Sequence, residues 1–387
     1  MSTIPDRAAS PQSAEPAEPA ETTDHLLQDT HLPGSSATRT VKQMAETYWI
    51  LALSCAALIF DGYDIVVYGT IVSRLLKDPS QLGSLNAAQA GTIGSYALIG
   101  VMIGALAAGA VGDHIGRRKI VLGSIAWFSI GMALTAVSMN FTYFGAMRLL
   151  TGIGLGALLA TLGAVVAEFA PIDKKNLFNA LVYSGIPAGG VLASIIALVA
   201  LPIVGWRGLF WIGALPLVIL LPFAWKKIPE SPKWLEAKGR HEEAQRVAER
   251  TGVALDGAPA RSSSATGSTG SIESAPVAPQ AVERVGFRGL FTGSYLVPTI
   301  LLGFMSFSGL LLTYGLNTWL PRIMESYGFN ATYSLTFLLL LNTGAVIGGL
   351  VIAALAGPTA TAATAFYVFA GVAVFGALVC ALVPKHD

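Results

Sequence analysis

The chain has 387 residues, 53% of them hydrophobic and only 12% charged. A soluble domain carries about 25% charged residues, and half that amount cannot cover the surface of one or two globular domains of this length. The composition excludes a soluble enzyme, a nucleic-acid binder and a disordered scaffold in favour of a polytopic membrane protein, whose net charge of +1 says nothing about partners because its charges are segregated by side.

In chain order, residues 1–45 form a tail rich in Pro, Ala, Glu, Ser and Thr, with too little apolar content to offset ordering entropy. The tail lacks the basic start and apolar core of a signal peptide. Apolar segments follow at 49–72, 88–111, 120–138, 141–166, 177–200, 209–225, 295–320, 334–355 and 364–383. Each approaches the roughly 20 residues needed to cross a bilayer, which predicts about nine spanning helices. The boundaries read as a six-helix N-terminal bundle over 46–225, a central polar loop over 226–292 and a shortened C-terminal bundle over 293–387. The first part of the loop, SPKWLEAKGRHEEAQRVAER, has helical composition, and the second, SSSATGSTGSIESAPVAPQ, is a flexible linker. Two helical bundles joined by a long central loop form a transporter-like layout.

Lys and Arg gather in alternate loops: Arg117, Arg118 and Lys119, then Lys174 and Lys175, then Lys226, Lys227, Lys233 and Lys238. The positive-inside rule therefore places the N-terminus and these loops in the cytoplasm of a cell with the chain in its cytoplasmic membrane. Cys55 and Cys380 lie in apolar runs, where a thiol behaves as a small hydrophobe. No disulfide framework, metal site or cofactor is expected.

Three charges lie well inside predicted spans: Asp61 and Asp64 in FDGYDIVVYG, and Arg148 in MRLLTG. An intramembrane charge is expensive and reads as functional. A spacing of three puts both carboxylates on one helix face. Asp64 lies about 12 Å from the end of its segment near Val72, and Arg148 about 10 Å from the end of its own near Phe141, at 1.5 Å per residue. Equal depth allows an ion pair if the two helices adjoin. Paired carboxylates beside an arginine suit proton coupling, whereas the plainer possibility is a fixed pair that only joins two helices.

Glycines give the next signal. Gly100 with Gly104, Gly185 with Gly189, and Gly344 with Gly348 have the spacing of close helix crossings, and Gly152, Gly154 and Gly156 suit packing better than a nucleotide loop. Pro187 predicts a bend in the fifth span. In the loop GDHIGRRK, Gly112 and Gly116 permit a tight turn, and Asp113 is expected to accept bonds from Arg117 or from a neighbouring helix terminus. Asn317 and Asn342 are buried amides that can serve either a ligand or an adjacent helix. Trp319 reads as an interfacial anchor.

Together these motifs resemble the major facilitator superfamily. GDHIGRRK is similar to its G-x-x-x-D-R-x-G-R-R loop, Arg148 with Gly152, Gly154 and Gly156 to its fourth-helix motif, and PESPKWL to its motif after helix six. FDGYD, GSYALIG, GWRGLFWIGALPL and YGLNTWLP resemble the aromatic acid:proton symporter family, most of all its benzoate transporters. That resemblance implies Asp61, Asp64 and Arg148 as coupling residues, and Gly112, Asp113, Gly116, Arg117 and Arg118 as a cytoplasmic gating loop. For an aromatic carboxylate such as benzoate, Tyr63, Tyr96, Arg148, Asn317 and Asn342 are the available binding groups. The implied function is proton-coupled uptake with no enzymatic activity, and the partners are the carboxylate, protons and the lipid bilayer.

Two departures accompany the resemblance. His114 stands where an arginine is usual, and helices nine to eleven of a twelve-helix family are missing. The alternatives are therefore an internally deleted, non-transporting relative, a chain completed by a second copy, or a proton-antiport exporter.

Overall fold

The computed structural model describes residues 40–171, 174–255 and 296–355, and every regular element among them is helical. Helix α1 (Val41–Lys77) begins at Thr40, whose side chain accepts the Gln43 amide while the Gln43 side chain accepts the Thr40 amide. This capping box draws residues 41–45, expected as part of the tail, into the first helix. A similar box at Asn86 and Gln89 starts α2 (Ala87–Ile115). Between them Asp78 turns the chain, and hydrogen bonds from Ser80 and then Gln81 hold its carboxyl below the usual carboxylate range. Helix α3 (Arg117–Ala136) follows Gly116, and Asn140 caps α4 (Phe141–Phe169).

The fifth apolar run is broken where proline predicted. Helix α5 (Lys175–Tyr183) stops at Ser184 and α6 (Gly185–Gly213) continues, because Pro187 has no N–H to donate to the Tyr183 carbonyl. The whole run Lys175–Lys227 has 53 residues, about 80 Å if straight and more than twice a bilayer core. Inside α6, Gly205 has φ 65°, and the chain doubles back there. Gly189 before the break meets the Tyr63 backbone, while Leu209 and Gly213 after it meet the Tyr63 side chain. The run therefore makes two passes, ending through a 3-10 turn (Leu215–Leu217) and α7 (Leu220–Lys227).

Short helices α8 (Pro232–Ala237) and α9 (His241–Thr251) occupy the first part of the central loop. Helix α9 folds back on the start of α1: Gln43 Nε2 donates to the Glu249 carbonyl at 2.8 Å, and Arg250 lies 3.5 Å from Glu46. Helices α10 (Leu296–Ser326) and α11 (Ala331–Leu355) complete the described chain. That gives eight passes among the described residues, and the segment expected at 364–383 lies outside them.

Glycines set which helices meet. In lipid there is little hydrophobic gain from helix association, so backbone approach and packing decide it. A Cβ on Gly100 or Gly104 would overlap backbone of α4, and one on Gly152 or Gly156 would overlap backbone of α2. Gly154 points the other way, against Trp127 and Phe128 of α3. Gly62 and Gly189 make the same close crossing between α1 and α6. For Gly344 and Gly348, nothing among the described residues lies within 4 Å of a Cβ at either position.

Candidate functional site

Helix α1 carries Asp61 and Asp64 on its buried face, 3% and 1% exposed, and α4 brings Arg148, 2% exposed, to the same depth. Arg148 Nη1 donates to Asp64 Oδ1 in a buried ion pair, the contact that matched depth made possible. Arg148 Nε is buried with no hydrogen-bond partner. On its other side the guanidinium carbon stands 5.5 Å from the centre of the Tyr68 ring. Asp61, one turn from Asp64, accepts no hydrogen bond from any described residue. Tyr183 of α5 and Tyr314 of α10 lie within electrostatic reach of it. The arrangement is chemically lopsided: two carboxylates and one cation in a dry place, with the cation committed to one carboxylate.

The other binding candidates do not converge on this point. Tyr63 is fully buried, and its hydroxyl donates to the Leu209 carbonyl at 2.8 Å, so here it ties α1 to α6. Tyr96, 40% exposed, lies over Gly145 and lines a shallow recess with Gln89, Thr92 and Phe141. Asn317 and Asn342 are buried together. Asn342 Nδ2 donates to Asn317 Oδ1 at 2.8 Å, and Asn317 Nδ2 donates to its own helix at Thr313. The pair joins α10 to α11, and each Asn meets a glycine of the first bundle, Asn317 through its backbone at Gly69 and Asn342 through its side chain at Gly190.

The basic end holds a second cluster. Gly116, at φ 101°, turns the chain between α2 and α3, and a Cβ there would strike the Glu230 carboxylate. Glu230 Oε1 accepts the Arg118 amide at 3.0 Å, capping α3 from a distant part of the sequence. Arg117 pairs with Glu168 at the end of α4, and Glu168 also accepts from the Ser231 hydroxyl and the Lys233 amide. Arg118 Nη2 donates to the Trp225 carbonyl at 2.6 Å. Asp113 departs from expectation: Trp234 Nε1 donates to its backbone carbonyl, while Arg117 goes to Glu168 and the α3 amide to Glu230. Gly112 accepts the Gly116 amide through its carbonyl and lets the helix close.

Sequence reasoning missed Tyr68, Glu168 and Glu230. Tyr68 had a signal, its position four residues after Asp64 on one helix face. The two glutamates sit at segment ends, where acidic residues are ordinary, and only the fold shows that they face the basic loop.

Residues 42–385 match the Major Facilitator Superfamily. The sequence is 34% identical over 341 residues to a gentisate transporter of Corynebacterium glutamicum, covering 85% of this chain and 67% of that protein. It is 33% identical to a benzoate transport protein of Acinetobacter baylyi, covering 78% and 63%. The chain thus spans about two thirds of the length of these relatives. A solved structure of the proton:xylose symporter XylE aligns with a TM-score of 0.62 at 19% identity, covering 82% of this chain and 70% of that one. At that identity the likeness concerns the fold alone.

Proposed function

This chain belongs to the major facilitator superfamily, and we propose that it takes up an aromatic carboxylate, benzoate or a close relative, together with protons by alternating access. The observation that carries the reading is the buried Asp64–Arg148 pair with Asp61 one turn away and unpartnered among the described residues. The aromatic acids named for the relatives support the cargo class. The basic loops support a bacterial cytoplasmic membrane with the N-terminus inside.

An anion does not cross hydrocarbon unaided, so the carrier must supply a cation for the carboxylate and apolar walls for the ring. Arg148 is the only cation buried among the described residues. A substrate carboxylate that reaches it competes with Asp64, and the displaced Asp64 is relieved of its charge by taking a proton. Asp61 has no cation to offset a charge, so it serves as the second proton site. Return of the empty carrier requires the proton to leave and the ion pair to re-form. One proton with one monovalent anion is electroneutral and uses the pH gradient alone, while a second proton adds about 2.3 kcal/mol per 100 mV of membrane potential.

The test is uptake of labelled benzoate by cells without their own carrier. Asp64→Asn and Asp61→Asn should each remove proton-driven accumulation while the chain still inserts. Unchanged accumulation in both variants contradicts the coupling role.

A further inference from the structure

Tyr68 touches the buried ion pair and has no part in the steps above. It lies on α1 one turn beyond Asp64, so the two side chains share a face. Its ring centre is 5.5 Å from the Arg148 guanidinium carbon, which therefore stands between a carboxylate on one turn of α1 and an aromatic face on the next. The ring is held on every side. Its hydroxyl donates to the Ala90 carbonyl of α2 at 2.7 Å. Its edge comes 3.4 Å from the place a Cβ would take on Gly94, and Phe144, one turn before Arg148 on α4, packs 6.0 Å away.

We propose that Tyr68 is a positioning residue for Arg148, holding the guanidinium by its ring while the Asp64–Arg148 contact is open. An arginine that loses its carboxylate in a dry site is otherwise left with an uncompensated charge. A fixed aromatic face is a partner that neither titrates nor competes for the substrate, and its attraction for a cation is strongest where water is excluded. The ion pair can then exchange partners without the cation leaving its place. This rests on the transport reading for its purpose, but its physical claim, that Tyr68 matters more when Asp64 is uncharged, does not.

The experiment is a double-mutant cycle on the purified full chain in detergent, read as Tm. Tyr68→Leu removes the ring, and Tyr68→Phe keeps the ring and removes only the tether. Tyr68→Leu should lower Tm about twice as far in the Asp64→Asn background as in the native chain, while Tyr68→Phe lowers it equally in both. Equal shifts for Tyr68→Leu in the two backgrounds would overturn the proposal. Should Tyr68→Leu fail to insert, Tyr68→Met serves in its place with the same expectation.

In reconstituted vesicles, Tyr68→Leu should reduce maximal benzoate uptake about ten-fold with KM changed less than about three-fold, and Tyr68→Phe should stay within about two-fold of native. A Phe variant as impaired as the Leu variant contradicts a role for the ring. Should the native chain transport nothing, the Tm cycle still decides the proposal, so its failure is distinct from failure of the transport reading.

Discussion

Arg148 and Asp64 are each costly alone and tolerable together. Removing one partner from a buried ion pair destabilises by about 3–5 kcal/mol, because the other charge is left behind, whereas replacing both by apolar groups of similar size is often neutral. Asp64→Leu should therefore lower the Tm of the detergent-purified chain sharply, and Asp64→Leu with Arg148→Met should restore most of it while abolishing uptake. A double variant as unstable as the single one would mean that the charges also hold structure by other contacts. All three intramembrane charges were legible in the sequence, since any Asp or Arg inside an apolar run stands out. Tyr68 had only its place four residues after Asp64 to mark it among 11 tyrosines, and that spacing does not say whether a ring faces a guanidinium or a lipid. The reverse holds for Tyr63 and the two asparagines, whose polar atoms the sequence offers to a ligand and the fold gives to neighbouring helices.

Helices meet where glycine lets backbones touch, and that makes substitution effects position-specific. Gly156→Leu should push α2 from α4, at the 1–3 kcal/mol or more typical of overpacking, and be seen as loss of monodisperse protein on size exclusion. Gly348→Ala, with nothing among the described residues within 4 Å of the added methyl, should change Tm no more than an ordinary surface substitution, within about 0.5 kcal/mol. Similar profiles for both would contradict the assignment of packing faces. The same G-x-x-x-G spacing marks both, and among the described residues only the first has a backbone against it. What the spacing lacks is knowledge of which neighbour arrives. At the two ends of the helices the links differ in kind. Lys77 Nζ meets Glu325 at 2.6 Å, joining α1 to α10; the lysine side chain is 60% exposed and that of Glu325 9%. A pair whose cation stays in solvent contributes about 0–1 kcal/mol, so Glu325→Gln, which keeps the side chain's size, should lower Tm only slightly. Glu168 differs in the number of partners it holds: its side chain serves Arg117, Ser231 and Lys233 at once. Glu168→Ala should cost far more than Glu325→Gln in the same melt, and equal costs would contradict a knot at the basic end.

Across the described residues, α10 meets the first bundle through its second half. Gly69 and Gly94 of α1 and α2 receive Asn317 and Thr318, and Lys77 reaches Glu325. Toward the other end of α10, Val297, Leu302, Phe304 and Leu312 are exposed. Among the described residues, the contacts of α10 with the first bundle thus gather toward Glu325. Hydropathy alone conveyed the eight passes, because length and apolarity suffice to find a span. It also separated the passes on either side of Gly205, at 177–200 and 209–225, but not that helix continues up to the bend on either side with so little polar sequence between.

The central claim is proton-driven uptake of an aromatic carboxylate through the Asp61, Asp64 and Arg148 site. The most direct measurement is labelled benzoate accumulation in cells lacking their own carrier, with insertion of this chain confirmed and a protonophore added in parallel. The account predicts accumulation that collapses when the proton gradient is dissipated. Accumulation that persists in full without the gradient, or none at all from well-inserted protein, would contradict it.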